Sequence, residues 1–224
     1  MPRLNDAENP ATLVLSASAG CASRAAAVVG CAMTMLGERP GAVQRVELSR
    51  ISPAALYEGL PSDRFDEALG RLNAAGVVVV VAPVEGAAFS ALLPAFLDRL
   101  PAGTFTGKVV VPLLLGGDPA ALARFESALR RRFENAGAVV ALGELFDASD
   151  DFGAAGCDAR NSARVERAIG EGVLQRRMAG EQVVGQAVPD GLMLVSGAAG
   201  RSPIGDPGAG AIVQSIGWPV PMAC

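Results

Sequence analysis

Ser16, Ser18, Ser23 and Arg24 fall within the nine-residue run SASAGCASR, directly ahead of an alanine-rich stretch. The small residues between them leave backbone N–H groups accessible. A helix beginning there would aim its unpaired N–H groups and the positive end of its dipole at the loop. With Arg24 as counter-charge, the chemistry open to such a loop is the holding of a phosphate. Serine before a helix also serves simply as a cap, so the loop alone admits both readings. Two other polar groups stand out, Pro83-Val84-Glu85-Gly86 running on to Ser90, and Gly116-Gly117-Asp118. Glu85 and Asp118 could act as an acid and base if folding brought them together, and paired loop carboxylates are equally well explained as solvated. Cys21, inside the first group, would have its thiol pKa lowered by a helix N-terminus. It also fits as a small filler among alanines.

What is missing narrows the chemistry further. Histidine is absent, which removes Ser-His-Asp, Cys-His and zinc-histidine sites from this chain, and no metal site is expected. The four cysteines, Cys21, Cys31, Cys157 and Cys224, lack CxxC spacing and read as free thiols in a reducing, cytoplasmic setting. Charged residues make up 19%, the net charge is -4, and Lys108 is the sole lysine, so no basic footprint for nucleic acid or an anionic membrane is present. Residues 1–11 are polar and proline-punctuated, unlike a signal peptide. No apolar run approaches the roughly 20 residues of a membrane helix.

These groups must be positioned by alternating strands and helices. Residues 77–81 and 109–115 are apolar runs without polar alternation, as in central parallel strands covered on both faces. Between them Phe89, Leu92, Leu93, Phe96, Leu97 and Leu100 recur at three- and four-residue intervals and predict one amphipathic helix. Residues 12–16 form a first strand, followed by a helix to about Leu36. Residues 42–48 form a second strand, and a helix capped by Ser62 runs to near Gly76 with Asp63 and Asp66 in its first turn. Asp118 or Pro119 opens another helix ending in Arg130, Arg131 and Arg132, read as favourable charge at its negative terminus. Residues 138–146 form a fifth strand, and residues 161–178 a last helix despite two glycines. The expected fold is α/β, a doubly wound five-stranded parallel sheet in the order 2-1-3-4-5.

From Glu181 onward Gly and Pro multiply while apolar islands and Trp218 remain. The predicted organisation is therefore an N-terminal extension over residues 1–11, a catalytic-type domain over 12–180, and an irregular arm or tail over 181–224. In such a sheet the ligand crevice lies beyond the carboxyl ends of the strands where strand order reverses. The three polar loops converge there.

The segments LVLSASAGCASR, VVVVVAPVEGAAFSALLPAFLDRLP, FTGKVVVPLLLGGDPAAL and FDASDDFG, taken in order and at their spacing, resemble the flavodoxin-like NAD(P)H-dependent FMN reductases, in particular the alkanesulfonate-system flavin reductase and related actinobacterial enzymes. The resemblance covers roughly residues 12–169. It implies that Ser18, Ser23 and Arg24, with Ser16 beside them, hold the FMN phosphate. By the same resemblance Pro83, Val84, Glu85, Gly86 and Ser90 border the ribityl chain and ring, and Gly116, Gly117 and Asp118 lie at the ring edge. NADPH or NADH would pass hydride to the flavin without a protein acid or base, so no catalytic side chain is expected. Reduced flavin would leave for a partner monooxygenase, and the protein would be a dimer or tetramer.

The sequence departs from that family at the same loops. Gly20 stands where an arginine is usual, Glu85-Gly86 replace an aromatic residue followed by asparagine or lysine, Asp118 replaces threonine, and Pro94 replaces lysine. A second reading follows from these changes, a flavodoxin-like protein that has left flavin redox chemistry and serves as a partner-binding subunit or a repurposed enzyme.

Overall fold

In the middle of the chain, nine residues of strand β3 (Val77–Glu85) place Val78, Val80, Ala82 and Val84 on one face and Val77, Val79 and Val81 on the other. Both sets are buried, as a run of valines with no polar alternation requires. The computed structural model describes residues 11–18, 24–37, 43–85, 88–89, 91–146 and 158–185, all within the unit Met1–Ala187. Of the C-terminal arm expected over residues 181–224, residues 181–185 instead continue the last helix, and the rest, like the cysteines Cys21, Cys157 and Cys224, lies outside the described residues.

Around β3 the elements follow in chain order. Strand β1 (Thr12–Ser16) leads to helix α1 (Arg24–Gly37), strand β2 (Val43–Glu47) to helix α2 (Asp63–Ala74), and β3 through a short antiparallel strand β4 (Ala88–Phe89) to helix α3 (Leu92–Asp98). Strand β5 (Val109–Gly116) is followed by helix α4 (Pro119–Asn135), two short strands β6 (Val139–Val140) and β7 (Glu144–Phe146), and helix α5 (Ala159–Gly185). The parallel order is β2-β1-β3-β5-β6, with β7 continuing beside β5 beyond β6. Counting β6 and β7 as one interrupted fifth strand, this is the expected 2-1-3-4-5 order.

Two cores sandwich the sheet. On one face α1 presents Ala25, Val28, Val29, Ala32 and Leu36, and α5 presents Val165, Ala168 and Ile169. These recur at helical spacing, so each helix buries a single stripe. On the other face Phe65, Ala68 and Leu72 of α2, Leu93 and Phe96 of α3, and Leu122, Leu129 and Phe133 of α4 close over the strands. Edge-to-face ring pairs Phe65–Phe96 (5.5 Å) and Phe105–Phe133 (4.9 Å) lock the second face. Each fully buried leucine or phenylalanine contributes about 1.5–3 kcal/mol in transfer free energy.

Helix starts agree with their capping signals. Ser62 has extended backbone and its hydroxyl accepts from the Phe65 N–H at 3.4 Å. Asp118 is likewise extended, accepts from the Ala120 N–H at 2.9 Å, and is followed by Pro119 at the first helical position.

Three expectations are corrected. Phe89 does not belong to a helix: β3 turns back on itself, pairing Val84 with Phe89 and Glu85 with Ala88, so α3 begins only at Leu92. Its apolar three- and four-residue spacing extended by coincidence into the hairpin. The fifth strand is broken. Val110 pairs with Val140 but Leu113 pairs with Glu144, so one extra residue is accommodated between them. Pro112 explains the break. In the alternation where Val139 donates to the Lys108 carbonyl and Ala141 to that of Val110, residue 112 would donate next, and proline has no N–H. The arginine run, with Arg132 in the last turn of α4 as expected, also makes specific contacts. Arg130, paired with Glu126, donates to the Val140 carbonyl at 2.9 Å and the Ala141 carbonyl at 3.2 Å, filling the gap left by Pro112. Arg132 reaches across to Asp98. Helix α5 is also longer than expected, running to Gly185 rather than Met178.

Candidate functional site

The carboxyl ends of β1, β3 and β5 lie side by side because their pairing is in register: Ser16 is opposite Val81, and Val81 opposite Leu113. The chain reverses its direction of sheet growth between β1 and β3, so a crevice opens above these ends. The Ala17 N–H donates to the Val81 carbonyl at 2.9 Å, which carries the ladder one residue past β1 and delivers Ser18 to the lip. Ser16 and Ser18 are both buried, at 5% and 7% exposure, although they are hydroxyl residues at a strand end. Arg24, half-buried, opens α1 on the far side of the same loop. Gly20 and Ser23 lie outside the described residues.

Along β3, Pro83 is half-buried and pairs with Leu115, while Val84 is buried and pairs with Gly116. These form an apolar shelf one strand from the hydroxyls. Glu85 ends the strand and enters the β4 hairpin, whereas Gly86 and Ser90 are outside the described residues. Along β5, a Cβ on Gly116 would stand 2.9 Å from the Val84 carbonyl and 3.1 Å from Leu122 Cδ2. The glycine is therefore required by the close approach of β3 and α4 themselves. Gly117 and Asp118 follow, both exposed, with the Asp118 carboxylate committed to the cap of α4. Pro94, the other departure, sits in the first turn of α3, where its missing N–H is not needed.

The structure thus brings Ser16, Ser18, Pro83, Val84, Gly116, Gly117 and Asp118 to one sheet edge on three adjacent strands, with Arg24 at the start of the neighbouring helix. Buried hydroxyls beside a helix start suit an anion, and the apolar shelf suits a flat ring. One supporting residue escaped the sequence reading. Arg164 of α5 lies 4.4 Å above the Phe146 ring, pairs with Glu144 at 3.1 Å and donates to the Leu145 carbonyl at 2.5 Å. It fixes the end of β7, where Phe146 pairs with Leu115. Only its i, i+3 relation to Asn161, itself buried and hydrogen-bonded to it at 3.3 Å, hinted at an inward-facing arginine.

Lys108 occupies the opposite edge. Its Nζ donates to the Asn73 and Ala75 carbonyls at 2.9 and 2.7 Å, and burial, followed by the Arg176 charge, lowers its pKa below the usual lysine value. Among the described residues no group of three or more His, Cys, Asp or Glu is placed to hold a metal ion, and no helix is long and apolar enough to cross a membrane. Cys31 is a free thiol, 3.5 Å from the Ser162 hydroxyl between α1 and α5.

Comparison with known proteins bears on the family and the fold. Residues 10–151 match the family model described as NADPH-dependent FMN reductase. An FMN reductase (NADPH) of Escherichia coli strain K12 is 37% identical over 75 residues, 34% of this chain and 39% of that relative. The chain therefore spans well under half the length of that curated relative. Among solved structures, an NADH:FMN oxidoreductase is similar with a TM-score of 0.65 at 24% identity, covering 76% of this chain and 90% of that one. An oxidoreductase from Corynebacterium diphtheriae aligns with a TM-score of 0.61 at 24% identity, over 76% of this chain and 97% of that one. Both show the shared fold.

Proposed function

This chain belongs to the NADPH-dependent FMN reductase family, and from that membership we propose that it reduces FMN at the expense of NADPH or NADH. The observation that carries the reading is the juxtaposition of buried Ser16 and Ser18, the start of α1 at Arg24, and the Pro83–Val84 shelf on one edge of the sheet. FMN, when bound, supplies a ring that accepts hydride and gives it up again. Ser16, Ser18 and Arg24, with Ser23, hold its phosphate through hydroxyls, helix N–H groups and one guanidinium. Pro83 and Val84, with Gly86 and Ser90, border the ribityl chain and ring, and Gly117 and Asp118 lie at the ring edge. No side chain needs to move a proton for hydride transfer, so the lack of histidine is no obstacle. The role of the protein is to bind and orient two substrates and to keep water from the ring.

With Gly20 in place of the usual arginine, the phosphate is gripped by fewer charges. A weaker grip suits flavin that binds as a substrate and must leave after reduction. We therefore read the product as reduced FMN released to a flavin-dependent monooxygenase, by a cytoplasmic homo-oligomer whose catalytic domain spans residues 12–180. Asp118, occupied as a helix cap, does not favour the alternative in which Glu85 and Asp118 work as acid and base.

The test is a titration of the purified, flavin-free protein with FMN, read by quenching of flavin fluorescence, followed by NADPH and NADH oxidation in the same samples. Saturable quenching with flavin-dependent oxidation is the expected result. No quenching and no oxidation at millimolar FMN would leave a flavodoxin-like protein that has lost flavin chemistry.

A further inference from the structure

A second concave feature lies one strand away from the crevice, between the carboxyl half of β2 and the outward face of α2, as a cleft of about 250 Å³. Its helical wall carries Arg64, Glu67 and Arg71 at i, i+3 and i+7, which places all three on one face. Its other wall carries Arg45 and Glu47 of β2 and Arg50 of the short 3-10 turn that follows, and buried Val46, Ile51 and Ala68 form an apolar floor. Four guanidinium groups thus surround one small cleft and face two carboxylates, in a protein whose net charge is -4.

The carboxylates are already engaged. Glu47 takes both Arg45 and Arg50, and Glu67 takes Arg71 at 2.5 Å. Arg71 is further tied by a 2.7 Å donation to the Arg45 carbonyl, which holds the two walls together. Arg64, exposed at the rim, has no ion pair or hydrogen-bond partner among the described residues. Crowded guanidinium groups repel one another, and the positive excess is not offset within the cleft. A guanidinium is also a rigid fork matched to tetrahedral oxyanions, and fixing it to backbone and carboxylate partners beforehand removes much of the entropic cost of binding.

We propose that this cleft binds a phosphate dianion, carried either on a small free phosphate compound or on a nicotinamide dinucleotide. The cleft shares no residue with the crevice, and of the two sources only the dinucleotide rests on the reductase reading.

The test uses the full-length, flavin-free protein at low ionic strength, with inorganic phosphate and pyrophosphate as probes, read by calorimetry and by thermal shift. Wild type is expected to bind saturably, more weakly as salt rises. Arg64→Gln should weaken binding about ten-fold, the loss of one charge-assisted contact, with an unchanged melting temperature in phosphate-free buffer. Glu67→Gln removes a competing carboxylate and should tighten binding. Competition of phosphate with NADPH but not with NADH would identify the dinucleotide as the source, and competition with neither would identify a free phosphate compound. Absence of saturable binding would overturn the proposal. Binding that survives Arg64→Gln but falls in Arg24→Gln would also overturn it, by placing the anion in the β1 crevice.

Discussion

Arg24 and Asp118 stand at two helix starts on the same sheet edge and are expected to behave oppositely when changed. Arg24 opens α1, and in the proposed reading it is the charged partner for the flavin phosphate. A charge-assisted hydrogen bond is worth about 1.5–3 kcal/mol, or roughly ten- to hundred-fold in binding. Arg24→Gln should therefore raise KM for FMN by about ten-fold or more while kcat at saturating flavin changes little, since the contact is equally present before and during hydride transfer. Equal KM values for the two proteins, measured by steady-state NADPH oxidation, would remove Arg24 from the flavin site. Asp118 accepts from the Ala120 N–H, and its replacement by alanine should cost about 1 kcal/mol of stability, while asparagine, which caps equally well, should cost almost nothing. Urea unfolding separates the two variants. If Asp118→Asn keeps stability but abolishes turnover, the carboxylate has a chemical role beyond the cap.

Helix α5 approaches the sheet more closely than an ordinary helix can, and Gly172 is the reason. A Cβ there would meet Val111 Cγ2 at 2.3 Å. Alanine gains about 1 kcal/mol in helix propensity, but overpacking against a rigid, buried valine costs about 1–3 kcal/mol. The packing term wins, so Gly172→Ala should destabilise, and adding Val111→Ala should recover part of the loss as a non-additive coupling in a double-mutant cycle. Additive effects would mean that the clash is relieved elsewhere. The same helix shows what could be read in advance. Gly170 and Gly172 looked like weak points in a sequence, because propensity is local and the partner that needs the space at Gly172, Val111, is far away in the chain. β3, β5 and the caps at Ser62 and Asp118 were legible, since unbroken apolar runs and cap residues act within a few positions. The split of the fifth strand was not read, although Pro112 announced it: the missing donor belongs to β5, but the damage appears on β6 and β7, where Arg130 repairs it. Likewise Pro94 marked the start of α3 within one turn, and the apolar spacing around Phe89 outweighed it. At the crevice, three adjacent strand ends followed from topology alone. The demand for Gly116 comes from the Val84 carbonyl and Leu122, which only the folded chain brings against it.

Across the sheet the proposed ligand site and a structural clamp fall at opposite ends, the first at the carboxyl edge and the second at the amino edge. Lys108, the sole lysine, precedes β5 and grips the carbonyls of Asn73 and Ala75 at the end of α2. Burial is the larger cause of its lowered pKa and the Arg176 charge the smaller, so the ammonium is less favoured in the native state than in the unfolded chain. Between the lowered native value and the usual lysine value of 10.5 the unfolded state binds more protons than the native one. Unfolding then takes up protons, and stability contributed by this group rises with pH through that window and is level outside it. Lys108→Met abolishes that dependence along with the two hydrogen bonds. The difference in unfolding free energy, wild type minus variant, should therefore grow as pH rises towards 10.5, whereas KM for FMN should be the same in both proteins. Urea unfolding at several alkaline pH values, paired with flavin kinetics at neutral pH, reads both quantities. A difference that is flat or falls with pH would show that the ammonium is not disfavoured in the folded protein. A shift in KM would show that the amino edge is coupled through β5 to the crevice, and the division of labour across the sheet would fail.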